Sequence, residues 1–346
     1  TGPSLSRLKP KLHQTALALW SLYIVLTIAE MLLLKFLGGM TFFDSFNHAL
    51  TTVASGGFST RDGSIGHYDS ITIEGIIIIF MFMAGVNFTI IWLICMREYK
   101  RAFKDEEFKN YLTFIAVAIS AMAIALIATD ISLGNSIRYS LFNVISIGTS
   151  TGYSSTDYAM WPIVTQIIFL ILMIVGACAG STSGGLKLLR INLAFKVAMR
   201  ELARIAQPRR VERIRMNGEV VERQQISLIV GMLFVWIGLF AISCILLAIC
   251  MPNDSFESIV SVVASSLGNT GPALGEYGPS STWASMDTPA LLITSVLMWF
   301  GRLELMTALL LLHPRTWKRE EREAPDRSSI KLMREFFEKM EERKKD

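Results

Sequence analysis

Apolar residues in this sequence fall into blocks at 16–37, 71–96, 111–129, 162–175 with a continuation after 185, 226–250 and 288–312. A helix needs roughly 20 consecutive apolar residues to cross the hydrocarbon core of a bilayer. The pattern therefore predicts at least six membrane-spanning helices. Lipid offers no partner to a backbone N–H or C=O, so such runs are helical wherever protein does not cover them. The predicted fold class is an all-α polytopic membrane protein.

Three connections between these blocks are too long for a turn and share one internal order, the mark of a repeat. The first runs from Phe42 to Val53 and continues Ala54-Ser55-Gly56-Gly57-Phe58-Ser59. The second runs from Ser136 to Ser146 and continues through Thr149-Ser150-Thr151-Gly152-Tyr153-Ser154. The third runs from Ser255 to Ser265 and continues through Gly268-Asn269-Thr270-Gly271-Pro272. Each begins with about a dozen moderately apolar residues, a helix too short to cross a bilayer at 1.5 Å per residue. It must re-enter, and the Ser/Thr/Gly stretch after it then lies at membrane depth, which is tolerated only where protein buries it or water lines it. The half-helix aims its unpaired carbonyls and partial negative charge at that stretch, which suits a cation.

Gly57, Gly152 and Gly271 hold the matching position, where turning successive carbonyls toward one axis needs dihedral angles that residues with a Cβ adopt reluctantly. Thr151-Gly152-Tyr153 resembles the Gly-Tyr core of a potassium-channel filter loop. Ordinary Gly/Ser surface turns are the bland alternative. They leave unexplained why each stretch follows an apolar half-helix.

Composition and charge sharpen this picture. Hydrophobic residues make up 52% of the 346 and charged residues 18%, which is not a soluble balance. Residues 1–11 are polar and lead into a full-length span, so no cleaved signal peptide is expected. Lys and Arg concentrate before the first block, at 97–109, at 187–223 and after 315. The three repeat connections carry only Arg61, Arg138 and none, respectively, so they face away from the cytoplasm. Acidic residues there, Asp44, Asp69 and Asp254 among them, would draw cations to the mouth. Nucleic-acid binding by the basic 187–223 segment is not expected, because Glu201, Glu212, Glu219 and Glu222 interrupt it between membrane spans. The four scattered cysteines fit no metal or redox spacing, and no histidine is assigned as a ligand.

Residues 176–185 place Gly and Ser in mid-membrane and should break a helix. A packing seam of small residues is the competing reading. Gly180 to Lys187 superficially resembles a P-loop, but Leu186 separates Gly185 from Lys187 and Leu188 follows it, so nucleotide binding is not expected. Arg302 falls in the middle of the last block, where a charge is costly and by default functional. An ion pair with Glu304 is the alternative. Glu30 and Lys35 are read as snorkelling near the end of the first span.

The motifs at 52–60, 146–153, 176–187 and 301–304 together resemble the Trk/Ktr/HKT potassium transporter superfamily, most of all its bacterial TrkH-type membrane subunits. The resemblance implies repeated helix–re-entrant pore loop–helix units, as in a fused potassium channel. This sequence corresponds to the second, third and fourth of four repeats, at 1–110, 111–223 and 224–314, with a charged cytoplasmic tail at 315–346. Three quarters do not close a fourfold ring, so a longer parent is expected.

It further implies a potassium filter formed by Ser55, Gly56, Gly57, Ser150, Thr151, Gly152, Asn269, Thr270 and Gly271. Gly180, Ser181, Thr182, Ser183, Gly184, Gly185 and Arg302 become a gate below it. Potassium is then the substrate and no cofactor binds this chain. The expected partners are a second copy, membrane lipid and cytosolic RCK-type regulatory subunits, which alone would carry nucleotide. The expected location is the bacterial inner membrane, and no enzyme activity is expected. The alternative function is an ion-coupled secondary transporter with a midplane site at the broken helix. Residues 325–346 have the pattern of an amphipathic helix.

Overall fold

The computed structural model describes residues 12–159, 161–207, 213–303 and 305–312. The chain divides into two units, Thr1–Leu303 and Glu304–Asp346. In the first unit one arrangement occurs three times: a long helix, a half-helix, then a returning helix. The first set is α1 (Leu12–Phe36), α2 (Phe42–Val53), α3 (Ile71–Gly85) and α4 (Phe88–Cys95), followed by the short α5 (Tyr99–Ala102). The second is α6 (Glu106–Ile127), α7 (Leu133–Gly148), α8 (Ile163–Val175) and α9 (Leu188–Ala206). A hairpin, β1 (Arg215–Met216) with β2 (Glu219–Val220), leads to the third: α10 (Arg223–Cys250), α11 (Phe256–Gly268) and α12 (Thr288–Arg302). In the second unit the described residues form α13 (Leu305–Leu312).

The chain is therefore an all-α polytopic membrane protein built from helix–re-entrant loop–helix units. Ala16–Phe36 of α1, with α6 and α10, is long and apolar enough to cross a bilayer unaided. These helices bury one side, with Leu34, Met122, Leu126 and Leu247 fully enclosed, and turn Trp20, Ile124, Phe234 and Ile249 outward. Large apolar side chains facing out are ordinary where lipid is the solvent. Two of the three half-helices are capped by a side chain where they start: Thr41 accepts from the Asp44 N–H and Ser255 from the Ser258 N–H, contacts worth about 1 kcal/mol each. Their buried faces carry hydroxyls as well as apolar groups, including Ser45 and Thr52, Ser140 and Ser146, and Ser261 and Ser265.

The returning helices depart from the sequence expectation. The block at 71–96 is not one continuous helix, because α3 and α4 meet at an angle of 111° across Val86 and Asn87. Asn87 starts α4 by accepting from the Thr89 N–H. Gly85 permits close approach there, since a Cβ on it would stand 2.6 Å from the Tyr111 hydroxyl and 2.7 Å from Thr149 Cγ2. Asn87 resembles any other polar residue in a hydropathy pattern, which is why the break was not legible.

Arg302 is likewise not in mid-helix: it is the last residue of α12, and Leu303 follows as the cap. Glu304 and the tail at 325–346 lie outside the described residues. Glu30 does not snorkel but is fully buried, because the face of α1 that carries it packs on α2. Lys35 does reach past its helix end, to the Met40 carbonyl oxygen at 3.2 Å.

Candidate functional site

The three half-helices end in the same way. The N–H of Gly56 returns to the carbonyl of Thr51 at 2.7 Å, that of Thr151 to Ser146 at 2.9 Å, and that of Thr270 to Ser265 at 3.0 Å. In each repeat the next N–H follows to the same residue: Gly57 to the Thr51 carbonyl, Gly152 to the Ser146 carbonyl, and Gly271 to the Ser265 hydroxyl. The donors of each stretch are thus tied back to its own helix. Its carbonyls are left for the other side.

Backbone handedness repeats too. Ser55, Ser150 and Asn269 have φ of 52°, 54° and 53°, and Gly57, Gly152 and Gly271 have φ of 65°, 85° and 105°, with an ordinary residue between. An alternating sign of φ turns successive carbonyls to one side. The glycines are needed for space as well: a Cβ on Gly57 would overlap the Thr151 carbonyl oxygen, and one on Gly152 the Thr270 carbonyl oxygen. The same contact passes from loop to loop, as rotation about a shared axis requires.

A cavity of about 1020 Å³ opens among these stretches. Every predicted filter residue except Ser150 lines it, and so does Arg302, whereas none of residues 180–185 does. The region 176–187 is non-helical and lies against the inner ends of the half-helices. The Thr182 hydroxyl meets the Val53 carbonyl at 3.0 Å and the Ser55 hydroxyl at 2.8 Å. Gly184 packs so tightly under α11 that a Cβ would overlap the Gly268 carbonyl. Arg302 joins the two parts: Nη1 donates to the Thr182 carbonyl and Nη2 to the Ala54 carbonyl, each at 3.1 Å.

The break in α3/α4 supplies what the non-helical region lacks. Cys178 N–H donates to the Gly85 carbonyl at 3.1 Å, Thr182 N–H to the Ala84 carbonyl at 3.3 Å, and Phe88 N–H to the Gly180 carbonyl at 3.2 Å. Two interrupted helices satisfy each other where water is scarce. Lys187, the residue that gave the region its P-loop likeness, donates from Nζ to the Ser183 carbonyl and hydroxyl. It is held inside the region itself.

Thr51, Ser146, Ser265 and Glu107 were not singled out in the sequence, and Tyr153 was noted only for its likeness to a filter core. Thr51, Ser146 and Ser265 stand five positions before the middle residue of each stretch, and aligning the repeats would have found them. The Thr51 hydroxyl donates to the Phe58 carbonyl at 2.9 Å and the Ser146 hydroxyl to the Tyr153 carbonyl at 2.6 Å. Tyr153, fully buried, brings its hydroxyl within 2.6 Å of the Thr51 hydroxyl and so joins the second stretch to the first. Glu107 accepts the N–H of Ala179, a contact that no sequence pattern announces.

At the outer rim several acidic residues are engaged. Asp44 pairs with Arg61 at 3.0 Å, and Arg138 pairs with both Asp69 and Glu74 at 2.8 Å. The Thr60 hydroxyl, 2.6 Å from Asp44, is the main cause that holds this carboxyl at about 2, with Thr41 and Arg61 adding to it against the opposing effect of burial. Tyr277 donates to Asp254 at 2.7 Å, and burial together with that carboxylate pushes its hydroxyl up to about 12.

Comparison with known proteins finds similar chains of one family. The chain is 36% identical over 316 residues to the Trk system potassium uptake protein TrkH of Escherichia coli K12. It is 34% identical over 319 residues to that of Vibrio parahaemolyticus and 29% identical over 314 residues to TrkG of Escherichia coli K12. Each alignment covers 90% of this chain and 64% of the relative, so the chain spans somewhat less than two thirds of their length. The crystal structure of the potassium transporter TrkH from Vibrio parahaemolyticus superposes with a TM-score of 0.82 at 32% identity, covering 90% of this chain and 66% of that one. The family described as TrkH, a cation transport protein, matches residues 6–129 and 115–318. The chain belongs to the TrkH family of cation transport proteins.

Proposed function

We propose that this chain lines a potassium pathway with the backbone carbonyls of its three re-entrant stretches, and that the 176–185 region with Arg302 gates it. The observation that carries this reading is the threefold recurrence of one geometry around one cavity: donors tied to the helix five residues back, and alternating φ signs. A cation shedding water needs several oxygens fixed in advance, and carbonyl rings are the known solution. Three half-helix C-termini aimed at the cavity add partial negative charge. The names of the relatives, all potassium uptake proteins, support potassium as the ion.

At the wall of the cavity, Arg302 sets a positive charge beside the carbonyls of Ala54 and Thr182, where it opposes cation exit while the region is closed. The full-length protein would act as a homodimer in the bacterial inner membrane, under cytosolic nucleotide-binding subunits of the RCK type. The basic 187–223 segment is the surface for that docking. Flux into liposomes tests the filter: the parent should carry potassium and rubidium over sodium, and Gly152→Ser should lose most of that preference. Equal ion preference in the two proteins would remove the filter assignment.

A further inference from the structure

Ala179 lies in the non-helical region, where its N–H has no helical partner, and the acceptor that satisfies it is the Glu107 carboxylate. Glu107 is buried in the first turn of α6. The two residues before it face the other way, toward the cytosolic hairpin. Asn217 places its amide nitrogen 2.7 Å from the second carboxylate oxygen of Asp105, and its amide oxygen takes the Glu106 N–H at 2.7 Å. The first oxygen of Asp105 caps α6 by accepting from Phe108 N–H. The Glu106 carboxylate pairs with Lys196 of α9, which also donates to the Arg215 carbonyl at 2.9 Å.

The hairpin is a firm platform for these contacts. Asn217 and Gly218 have φ of 51° and 85°, the handedness of the tight turn that two-residue hairpins prefer. Ile214, Met216 and Val221 pack with Leu193 of α9. Since α9 continues directly from the 176–187 region, the contacts close a ring: that region, α9, the hairpin, the start of α6, Glu107, and Ala179 again. Displacing α9 and the hairpin relative to α6 must break a link of that ring.

We propose that Glu107 is the positioning residue of the gate, and that the Asn217 contact to Asp105 and Glu106 relays the position of the cytosolic face to it. This rests on the gate reading given above. In the closed ring the Glu107–Ala179 bond fixes the mid-membrane region under the filter. A pull on the hairpin or on α9 loosens it.

The test uses full-length protein in liposomes, without regulatory subunits, and measures rubidium influx. Glu107→Ala should raise influx about tenfold, the scale of one lost buried hydrogen bond, and leave the preference over sodium intact. Glu107→Gln, whose amide oxygen still accepts from Ala179, should restore parental influx. Asn217→Gly keeps the turn but removes the amide. It should raise influx less than Glu107→Ala does, add nothing on top of that change, and speed hydrogen exchange at 176–185. Shortening 177–183 is the control for the gate itself. If that deletion speeds influx while Glu107→Ala does not, the inference is overturned and the gate stands. If neither does, both fall. Glu107→Gln behaving like Glu107→Ala, or unchanged exchange at 176–185 in Asn217→Gly, would also overturn it.

Discussion

The space that a side chain on Gly152 would occupy is already taken by the carbonyl oxygen of Thr270. Residues 118 positions apart thus fix each other's place, the second re-entrant stretch resting on the third as the first rests on the second. Gly152→Ala therefore has to move the Thr270 carbonyl as well as its own backbone, which sits at φ 85°. We expect potassium-over-sodium preference to drop at least about tenfold, because left-handed strain and overpacking each cost roughly 1–3 kcal/mol. Paired rubidium and sodium fluxes in liposomes measure it, and an unchanged ratio would contradict the packing argument.

Ser146 offers a gentler probe of the same stretch. Its hydroxyl donates to the Tyr153 carbonyl, while its own carbonyl anchors Thr151 and Gly152. Ser146→Ala removes only the first contact, worth about 1 kcal/mol. Selectivity should fall a few-fold with little loss of thermal stability. A drop as severe as that of Gly152→Ala would show that the hydroxyl does more than hold one carbonyl.

Arg302 and Thr182 test the gate from two sides. Arg302→Ala takes away the charge beside the pathway and two bonds to carbonyls. Thr182→Val keeps its carbonyl for Arg302 but leaves Val53 and Ser55 without their hydroxyl partner, at a cost of about 1–3 kcal/mol. Both should speed influx, Arg302→Ala by about tenfold or more and Thr182→Val by less, with ion preference retained. Folded variants no faster than the parent would favour a static packing seam.

Asp44 predicts a pH effect at the outer rim, outside the spanning helices. Its folded carboxyl sits at about 2, below the ordinary 3.8, so the carboxylate contributes stability that is fully present above 3.8. That contribution is lost as pH falls through about 2, the sign expected when the folded state binds the proton less readily than the unfolded one. The thermal midpoint in detergent should therefore decline below pH 3.8 more steeply for the parent than for Asp44→Asn. Parallel curves would mean that the bonds from Thr60 and Arg61 add nothing to stability.

Much of this molecule is written in local pattern. Apolar blocks such as 16–37 and 226–250 dictate helices because lipid leaves backbone groups no other partner. Three copies of a Ser/Thr/Gly stretch after a short helix dictate re-entry, and Gly57, Gly152 and Gly271 mark where left-handed backbone is needed. Other features needed the folded chain. Asn87 breaks its helix because residues 178–182 provide partners for the freed groups, and those partners lie about ninety positions away. Glu30 is buried because α2 covers that face of α1. Glu107 meets Ala179, and Arg302 meets Thr182 and Ala54, through contacts between side chains and distant backbone that leave no periodicity behind. Sequence fixes what each segment must be in a membrane, since that depends on the solvent alone. Which segments complete one another depends on packing in three dimensions.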